Sequence, residues 1–117
     1  MKNISIKRVY EAPSKEDGYR LLVDRLWPRG VSKEKAKLDE WCKELGPSDK
    51  LRQWFNHQPE RFPEFEKRYR VELSGLKNEL KRINEIAKKE KLTILYGAKN
   101  TEMNQAVVIL KILNRMK

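Results

Sequence analysis

Two short segments combine residue types that could bind an anion. Asp24-Arg25-Leu26-Trp27-Pro28-Arg29-Gly30 follows one apolar run, and Gly97-Ala98-Lys99-Asn100-Thr101 follows another. Arginine can hold a phosphate or carboxylate through two parallel hydrogen bonds, and lysine adds a compact charge. A helix beginning after the second segment would add unpaired backbone N–H groups. We therefore predict a ligand site that includes Arg25, Trp27, Arg29, Tyr96, Lys99, Asn100 and Asn104.

The two segments are expected to lie close together in space. Each follows a continuously apolar run that is typical of a strand buried on both faces. In a parallel sheet, ligands tend to bind beyond the carboxyl ends of the strands. The second segment has one glycine and no GK[ST] sequence, so it is not a phosphate-binding loop of the P-loop type. The prediction therefore depends on the convergence of cations and not on a motif.

Asp24 is the one carboxylate in these segments that could act as a base. Its neighbours Arg25 and Arg29 are expected to favour the ionised form, which is a poor base at neutral pH. We therefore predict an orienting role for Asp24. The alternative is purely structural: Asp24 forms an internal ion pair that fixes the turn, Trp27 belongs to the core, and no ligand binds.

The remaining reactive residue types are isolated in the sequence. His57 is the one histidine, near a predicted helix end, and is interpreted as a surface or capping group. Cys42 is the one cysteine, which excludes an internal disulfide and a cysteine-cluster metal site. The sequence therefore predicts no metal and no cofactor, and it leaves open whether any reaction is catalysed.

Apolar spacing defines the elements that would position these segments. Alternation at residues 4–9 and apolar runs near 21–23 and 92–96 predict strands, whereas 38–45 is either a short strand or a connector. Ser32, Ser48 and Thr101 are predicted helix N-caps. Steps of three and four from Phe62 to Ala87 predict one kinked helix, or two nearly collinear ones, interrupted at Ser74-Gly75. The expected fold is a single α/β domain, residues 1–117, with a mostly parallel sheet of three to four strands.

Composition narrows the class of protein. The chain has 117 residues, of which 38% are charged and 38% hydrophobic, as expected of a soluble globular protein. No apolar run approaches the roughly 20 residues needed to span a bilayer, and the first ten residues lack the apolar segment of a signal peptide. We therefore predict a cytoplasmic protein that does not associate with membranes. The oligomeric state is not predicted.

A strong positive charge permits a second function. The 27 cations exceed the 17 anions by ten, and this excess would attract nucleic acid. At 100° per residue, the predicted long helix places four cations almost on one line: Arg70, Lys77, Lys81 and Lys88. However, Glu66 and Glu85 interrupt this face, and it has no aromatic residues for base stacking. Nucleic-acid binding or transcriptional regulation is therefore the alternative, and a solvated helix face is favoured.

Three segments also resemble a known family. They are DGYRLLVDRLWPRGVSKE (17–34), PSDKLRQWF (47–55) and LTILYGAKNTEMNQAVVIL (92–110). Together they are similar, in order, to the YeaO-like family, domain of unknown function 488. The resemblance implies a small bacterial or archaeal protein without an established activity. Some members carry a label as MarR-type regulators, but the helix-turn-helix and hairpin wing of such a reader are not evident here.

The resemblance covers both candidate segments and shows one departure. The first motif is matched by Asp24, Arg25, Trp27, Pro28, Arg29 and Gly30, and the second by Tyr96, Lys99, Asn100 and Asn104. Members of the family often have a histidine after that last asparagine, where this chain has Gln105. Glutamine at this position argues against proton-transfer chemistry. It argues less strongly against a binding role. Three hypotheses follow: an anion-binding protein, a nucleic-acid-binding module, and a structural or interaction protein without a ligand.

Overall fold

The computed structural model describes residues 2–117 and contains a parallel four-stranded sheet. The strands lie in the order β1-β4-β2-β3, so the last strand in the chain is inserted between the first two. All three pairings are parallel. The predicted α/β class is therefore confirmed. The strands are β1 (Ile4–Arg8), β2 (Tyr19–Leu22), β3 (Glu40–Trp41) and β4 (Leu92–Tyr96).

The two inner strands explain the continuous apolar runs in the sequence. Leu21 pairs with Ile94 and Leu22 pairs with Leu95, and all four side chains are fully buried. Because neighbouring residues of a strand point to opposite faces, such burial requires that both faces of the sheet be covered. The segment 38–45, for which two interpretations were open, contributes the short edge strand β3.

Five α-helices of the described residues, 2–117, surround the sheet. The predicted caps Ser32 and Ser48 are confirmed, since each side chain accepts a hydrogen bond from a backbone N–H in the first turn of its helix. Short 3-10 turns at Lys15–Asp17, Lys43–Leu45 and Pro59–Arg61 complete the connections. The helices are α1 (Lys33–Ala36), α2 (Asp49–Phe55), α3 (Phe62–Ser74), α4 (Lys77–Lys89) and α5 (Gln105–Arg115).

The long apolar repeat forms two helices. α3 ends at Ser74 and α4 begins at Lys77, so Gly75 and Leu76 separate them. The Ser74-Gly75 pair in the sequence had predicted an interruption at this position.

The start of the last helix was predicted wrongly. Thr101 does not cap it; Asn104 does, through its side-chain oxygen, which accepts a hydrogen bond from the N–H of Val107 at 3.1 Å. Residues 97–104 are therefore an irregular loop and not part of a helix. The reason is that the Asn100 side chain accepts bonds from the N–H groups of Glu102 and Met103, which closes a turn before the helix.

The core lies on both faces of the sheet. The larger cluster joins one face to α2, α3, α4 and α5, and the smaller one joins the other face to α1 and to Trp27 and Trp41. None of the helices within residues 2–117 has the length and apolar character needed to cross a membrane.

Candidate anion-binding site

Asp24 connects the two candidate segments directly. β2 and β4 are neighbours, so the loops that follow them meet at the carboxyl edge of the sheet. One carboxylate oxygen of Asp24 accepts a hydrogen bond from the N–H of Gly97 at 2.9 Å. The other oxygen accepts one from the side-chain amide of Gln105. The side chain that follows Asn104 thus holds the carboxylate in place.

The environment of Asp24 differs from the one predicted. Burial raises its pKa to about 6, although the hydrogen bonds from Gly97 and Gln105 act in the opposite direction. Among residues 2–117 Asp24 forms no salt bridge, so the alternative in which it pairs with Arg25 or Arg29 is wrong. The expectation that neighbouring cations keep it firmly ionised is wrong for the same reason. Although Asp24 lies close to Arg25 and Arg29 in the sequence, its carboxylate forms no ion pair with either guanidinium among residues 2–117.

Arg25 is held by backbone carbonyls. Its Nη2 donates to the oxygen of Gly46 at 2.9 Å, and its Nε donates to the oxygen of Pro47 at 3.2 Å. The half-buried side chain therefore ties the loop after β2 to the segment before α2. Arg25 also borders the adjacent cavity, but much of its hydrogen-bonding capacity is used within the protein.

A cleft opens at this edge of the sheet and has an inner and an outer part. The inner cavity, of about 240 Å³, is bordered by Asp24, Arg25 and Gln105. The outer cavity, of about 670 Å³, is bordered by Lys99 and Asn100. We call the two together the strand-end cleft, because they share Arg29, Phe55, His57, Gly97, Ala98 and Met103.

Arg29 and Lys99 supply free positive charge to the strand-end cleft. Both residues are exposed, and within residues 2–117 neither forms a salt bridge. The backbone oxygen of Arg29 accepts a hydrogen bond from the Tyr10 hydroxyl at 2.8 Å, which fixes the loop but leaves the guanidinium available. Asp24 is the one carboxylate that borders the cleft in the described chain, and it borders the inner part alone.

Arg52 and His57 also border the cleft, although neither was predicted as a site residue from the sequence. Arg52 lies on α2, and its Nε is buried without a hydrogen-bond partner in the part of the chain that the structure describes. Its Nη2 lies 3.4 Å from a carboxylate oxygen of Asp49. His57 follows α2 and is exposed. A signal for Arg52 was present only in the resemblance, since PSDKLRQWF includes it.

The two aromatic candidates lie in different environments. Trp27 borders the inner cavity, while its Nε1 donates to the oxygen of Val31 at 2.6 Å. Its ring meets that of Trp41 edge-on, with centroids 5.2 Å apart. Tyr96 is buried in the core and borders neither cavity, and burial raises the pKa of its hydroxyl. Trp27 thus lies at the cleft, whereas Tyr96 lies in the core.

Both asparagines of the second segment shape its backbone. Asn104 is buried. Its side-chain oxygen caps α5, and its side-chain nitrogen donates to the backbone oxygen of Asn100 at 2.8 Å. The Asn100 side-chain oxygen accepts two backbone bonds of 2.9 Å. Asn100 borders the outer cavity and Asn104 the inner one, but both are occupied with the loop that presents Lys99.

The basic helix face is divided between α3 and α4. Arg70 lies on α3 and is paired with Glu66 at 2.9 Å, and Lys88 on α4 lies 3.5 Å from Glu85. Lys77 and Lys81 form no salt bridge within residues 2–117. Two of the four charges are thus partly neutralised. Nucleic-acid binding by this face stays a prediction.

Cys42 lies beside two carboxylates, and this group resembles a metal site in composition only. Ligand atoms of Glu40, Cys42 and Glu79 lie within 4.8 Å of one another. Arg82 bridges the two carboxylates, with contacts of 2.5 Å and 2.9 Å. Burial raises the pKa of the Cys42 thiol to about 12, which opposes the thiolate that a metal requires. An ion-pair network accounts for the arrangement.

Sequence comparisons identify relatives that cover almost the whole chain. It is 50% identical over 107 residues to the uncharacterized protein YeaO of Escherichia coli (strain K12), covering 92% of this chain and 93% of the relative. It is 37% identical over 111 residues to the uncharacterized protein Rv3073c of Mycobacterium tuberculosis (strain ATCC 25618 / H37Rv), covering 95% and 93%. No solved structure matches significantly.

A family model matches residues 3–116, and its description is "Inactive DUF488-N3 subclade". The predicted relationship to the YeaO-like proteins of domain of unknown function 488 is confirmed. With its DRLWPRG segment and its Gly97–Asn104 loop joined through Asp24, this chain belongs to the DUF488-N3i family.

Proposed function

We propose that this protein binds a small anionic ligand, phosphate-bearing, in the strand-end cleft. The observation that carries the proposal is an excess of cations around a cavity at the carboxyl edge of a parallel sheet. Arg29 and Lys99 have no salt-bridge partner within residues 2–117, and the Nε of Arg52 is buried without an acceptor. An anion in the outer part of the cleft would supply acceptors for Arg29 and Lys99, whereas Arg52 borders the inner part alone.

The outer part of the cleft is the better position for the anionic group. Arg29, His57 and Lys99 border it, whereas Asp24 borders only the inner part. With a pKa of about 6, Asp24 is mostly ionised at pH 7 and would repel an anion placed beside it. The inner cavity would then receive an uncharged part of the ligand against Trp27, Phe55 and Phe65.

Binding without a reaction agrees with the surroundings of Asp24. Both of its oxygens accept hydrogen bonds, from Gly97 and from Gln105, and the amide of Gln105 cannot exchange a proton near neutral pH. A catalytic base must reach the proton that it abstracts, whereas each oxygen of Asp24 is directed at a hydrogen-bond donor of the protein itself. The description of the family as an inactive subclade supports the same conclusion.

Titration with three phosphate compounds tests this proposal. Inorganic phosphate, glucose 6-phosphate and AMP are titrated by calorimetry, and melting is followed in parallel. We expect at least one to bind saturably to the native protein. Arg29→Ala/Lys99→Ala should weaken that binding by a factor of about 100 or more, since each charge-assisted hydrogen bond contributes about 1.5–3 kcal/mol.

The matched control is Lys67→Ala/Lys89→Ala, which removes the same charge from exposed positions outside the cleft. It should change the affinity less than threefold. If none of the compounds binds the native protein, or if both double variants lose affinity equally, the cleft is not an anion site.

A further inference from the structure

A second hollow lies between the α3–α4 junction and the end of α5. Its volume is about 330 Å³. The walls and floor are mainly apolar and come from Leu73, Leu80, Ile112 and Met116. We call this the helix hollow. It shares no residue with the strand-end cleft, so a ligand here would bind independently of the proposed function.

The rim of the helix hollow carries only positive charge. Arg70, Lys77 and Lys81 border it, with Ser74 as the one uncharged polar residue, and no carboxylate borders it within residues 2–117. These are three of the four cations that the sequence placed on one line. They do not form a continuous ridge for a phosphate backbone; they surround an apolar depression.

The charges at this rim are unequally compensated. Arg70 is paired with Glu66, which also contacts Lys111 at 3.2 Å, so the charge of Arg70 is partly compensated. Lys77 and Lys81 at the start of α4 have no salt bridge in the described chain. A matching ligand would have one anionic group, near the two lysines, and an unbranched apolar part.

We propose that the helix hollow binds a medium-chain alkyl carboxylate. The alkyl chain would cover Leu73, Leu80, Ile112 and Met116, and the carboxylate would contact Lys77 and Lys81. The small volume favours a single chain over a larger partner. Apolar burial supplies the affinity, and the lysines select an anion over a cation or a neutral chain.

Calorimetric titration with hexanoate, octanoate and decanoate, below micelle-forming concentrations and at constant ionic strength, tests this proposal. We expect saturable one-to-one binding of decanoate, about fourfold tighter for each methylene that enters the hollow. Decyltrimethylammonium should bind at least tenfold more weakly than decanoate. Binding that never saturates, or equal binding of the cation, would overturn the proposal.

Three variants locate the site. Lys77→Glu/Lys81→Glu should weaken decanoate binding at least tenfold, whereas Lys88→Glu/Lys89→Glu, with the same charge change on the same helix, should alter it less than twofold. Arg29→Ala/Lys99→Ala should also leave it within twofold. Equal losses in the two glutamate pairs would indicate general attraction, and a loss in the cleft variant would place the chain in the strand-end cleft; either result overturns the proposal.

A fourth variant keeps the test decisive if Lys77→Glu/Lys81→Glu does not fold. Ser74 is exposed at the end of α3 and borders the hollow. Ser74→Trp would place a large ring over its opening without removing any core side chain. We expect at least a tenfold loss of decanoate affinity with unchanged far-UV circular dichroism. Unchanged affinity in this folded variant would exclude the helix hollow as the site.

Discussion

The cationic residues around Arg20 and those around Arg29 lie in opposite electrostatic environments. Arg20 is buried, and its guanidinium donates to Asp17 at 2.5 Å and to the carbonyl of Ala36 at 2.8 Å. Lys7 reaches the same carboxylate at 3.1 Å. Here the charges are paired inside the protein, and the group fastens the turn before β2 to the sheet.

The strand-end cleft shows the reverse arrangement. Arg29 and Lys99 are exposed. Asp24, the one carboxylate that borders the cleft within residues 2–117, accepts hydrogen bonds from an amide and a backbone N–H instead of from a cation. Positive charge is therefore balanced in the first region and left available in the second. The difference separates cations that stabilise the fold from cations that are free to bind something else.

Replacing the buried arginine should have the largest effect on stability. Arg20→Met leaves Asp17 without its closest cation and leaves two backbone carbonyls, of Ala36 and Lys37, without donors. We expect a loss of about 3–5 kcal/mol in the free energy of unfolding by urea. Arg29→Met, the same change in the cleft, should stay within about 0.5 kcal/mol. Similar losses in both would abolish the distinction between the two regions.

The two aspartates should respond to pH with opposite signs. Asp24 has a raised pKa, so the folded state takes up a proton more readily than the unfolded state, and stability should fall as pH rises from about 4 to about 6. The contribution is up to about 3 kcal/mol. Lys7, Arg20 and the N–H of Ser14 outweigh the effect of burial and lower the pKa of Asp17, so its contribution is lost as pH falls below about 4.

Asp24→Asn isolates the first of these effects. The amide of Gln105 can turn to present its oxygen, so the geometry can be kept while the titration is removed. Urea unfolding at pH 5 and pH 8 should show a smaller drop in stability for the variant than for the native protein. An identical drop would mean that Asp24 titrates normally.

Arg25→Ala should have an intermediate effect. The change removes donors to the carbonyls of Gly46 and Pro47, both of which are buried residues, and should lower the free energy of unfolding by about 2 kcal/mol. Arg25→Lys keeps the charge without the planar fork and should recover part of that loss. If Arg25→Ala does not change the free energy of unfolding, Arg25 belongs with Arg29 among the cations that are available to bind a ligand.

The sequence was informative where local pattern decides structure. The apolar runs around Leu21 and Ile94 predicted strands covered on both faces, and Ser32 and Ser48 predicted helix starts. The meeting of the two candidate segments followed from parallel strand ends. Thr101 was wrongly predicted as a cap, because the Asn100 side chain accepts hydrogen bonds that close a turn before the helix begins.

The roles of individual charged residues could not be predicted in the same way. Arg25 and Arg29 have the same chemistry in the same segment, but one reaches Gly46 and the other faces the cleft. Only the path of the backbone distinguishes them. Arg52 and the loop that begins at Asp24 border the same cavity although they are distant in the sequence. The side chain that donates a hydrogen bond to Asp24 lies 81 positions away, at Gln105.

The strand order has a consequence for how the protein folds. β1 and β2 do not pair with each other; each pairs with β4, which is the last strand to be synthesised. The amino-terminal strand therefore has no sheet neighbour until residues 92–96 arrive, and such long-range pairing is slow. The bond between Asp24 and Gly97 depends on the same arrival. We expect the sheet and the cleft to form together, in one late step of folding.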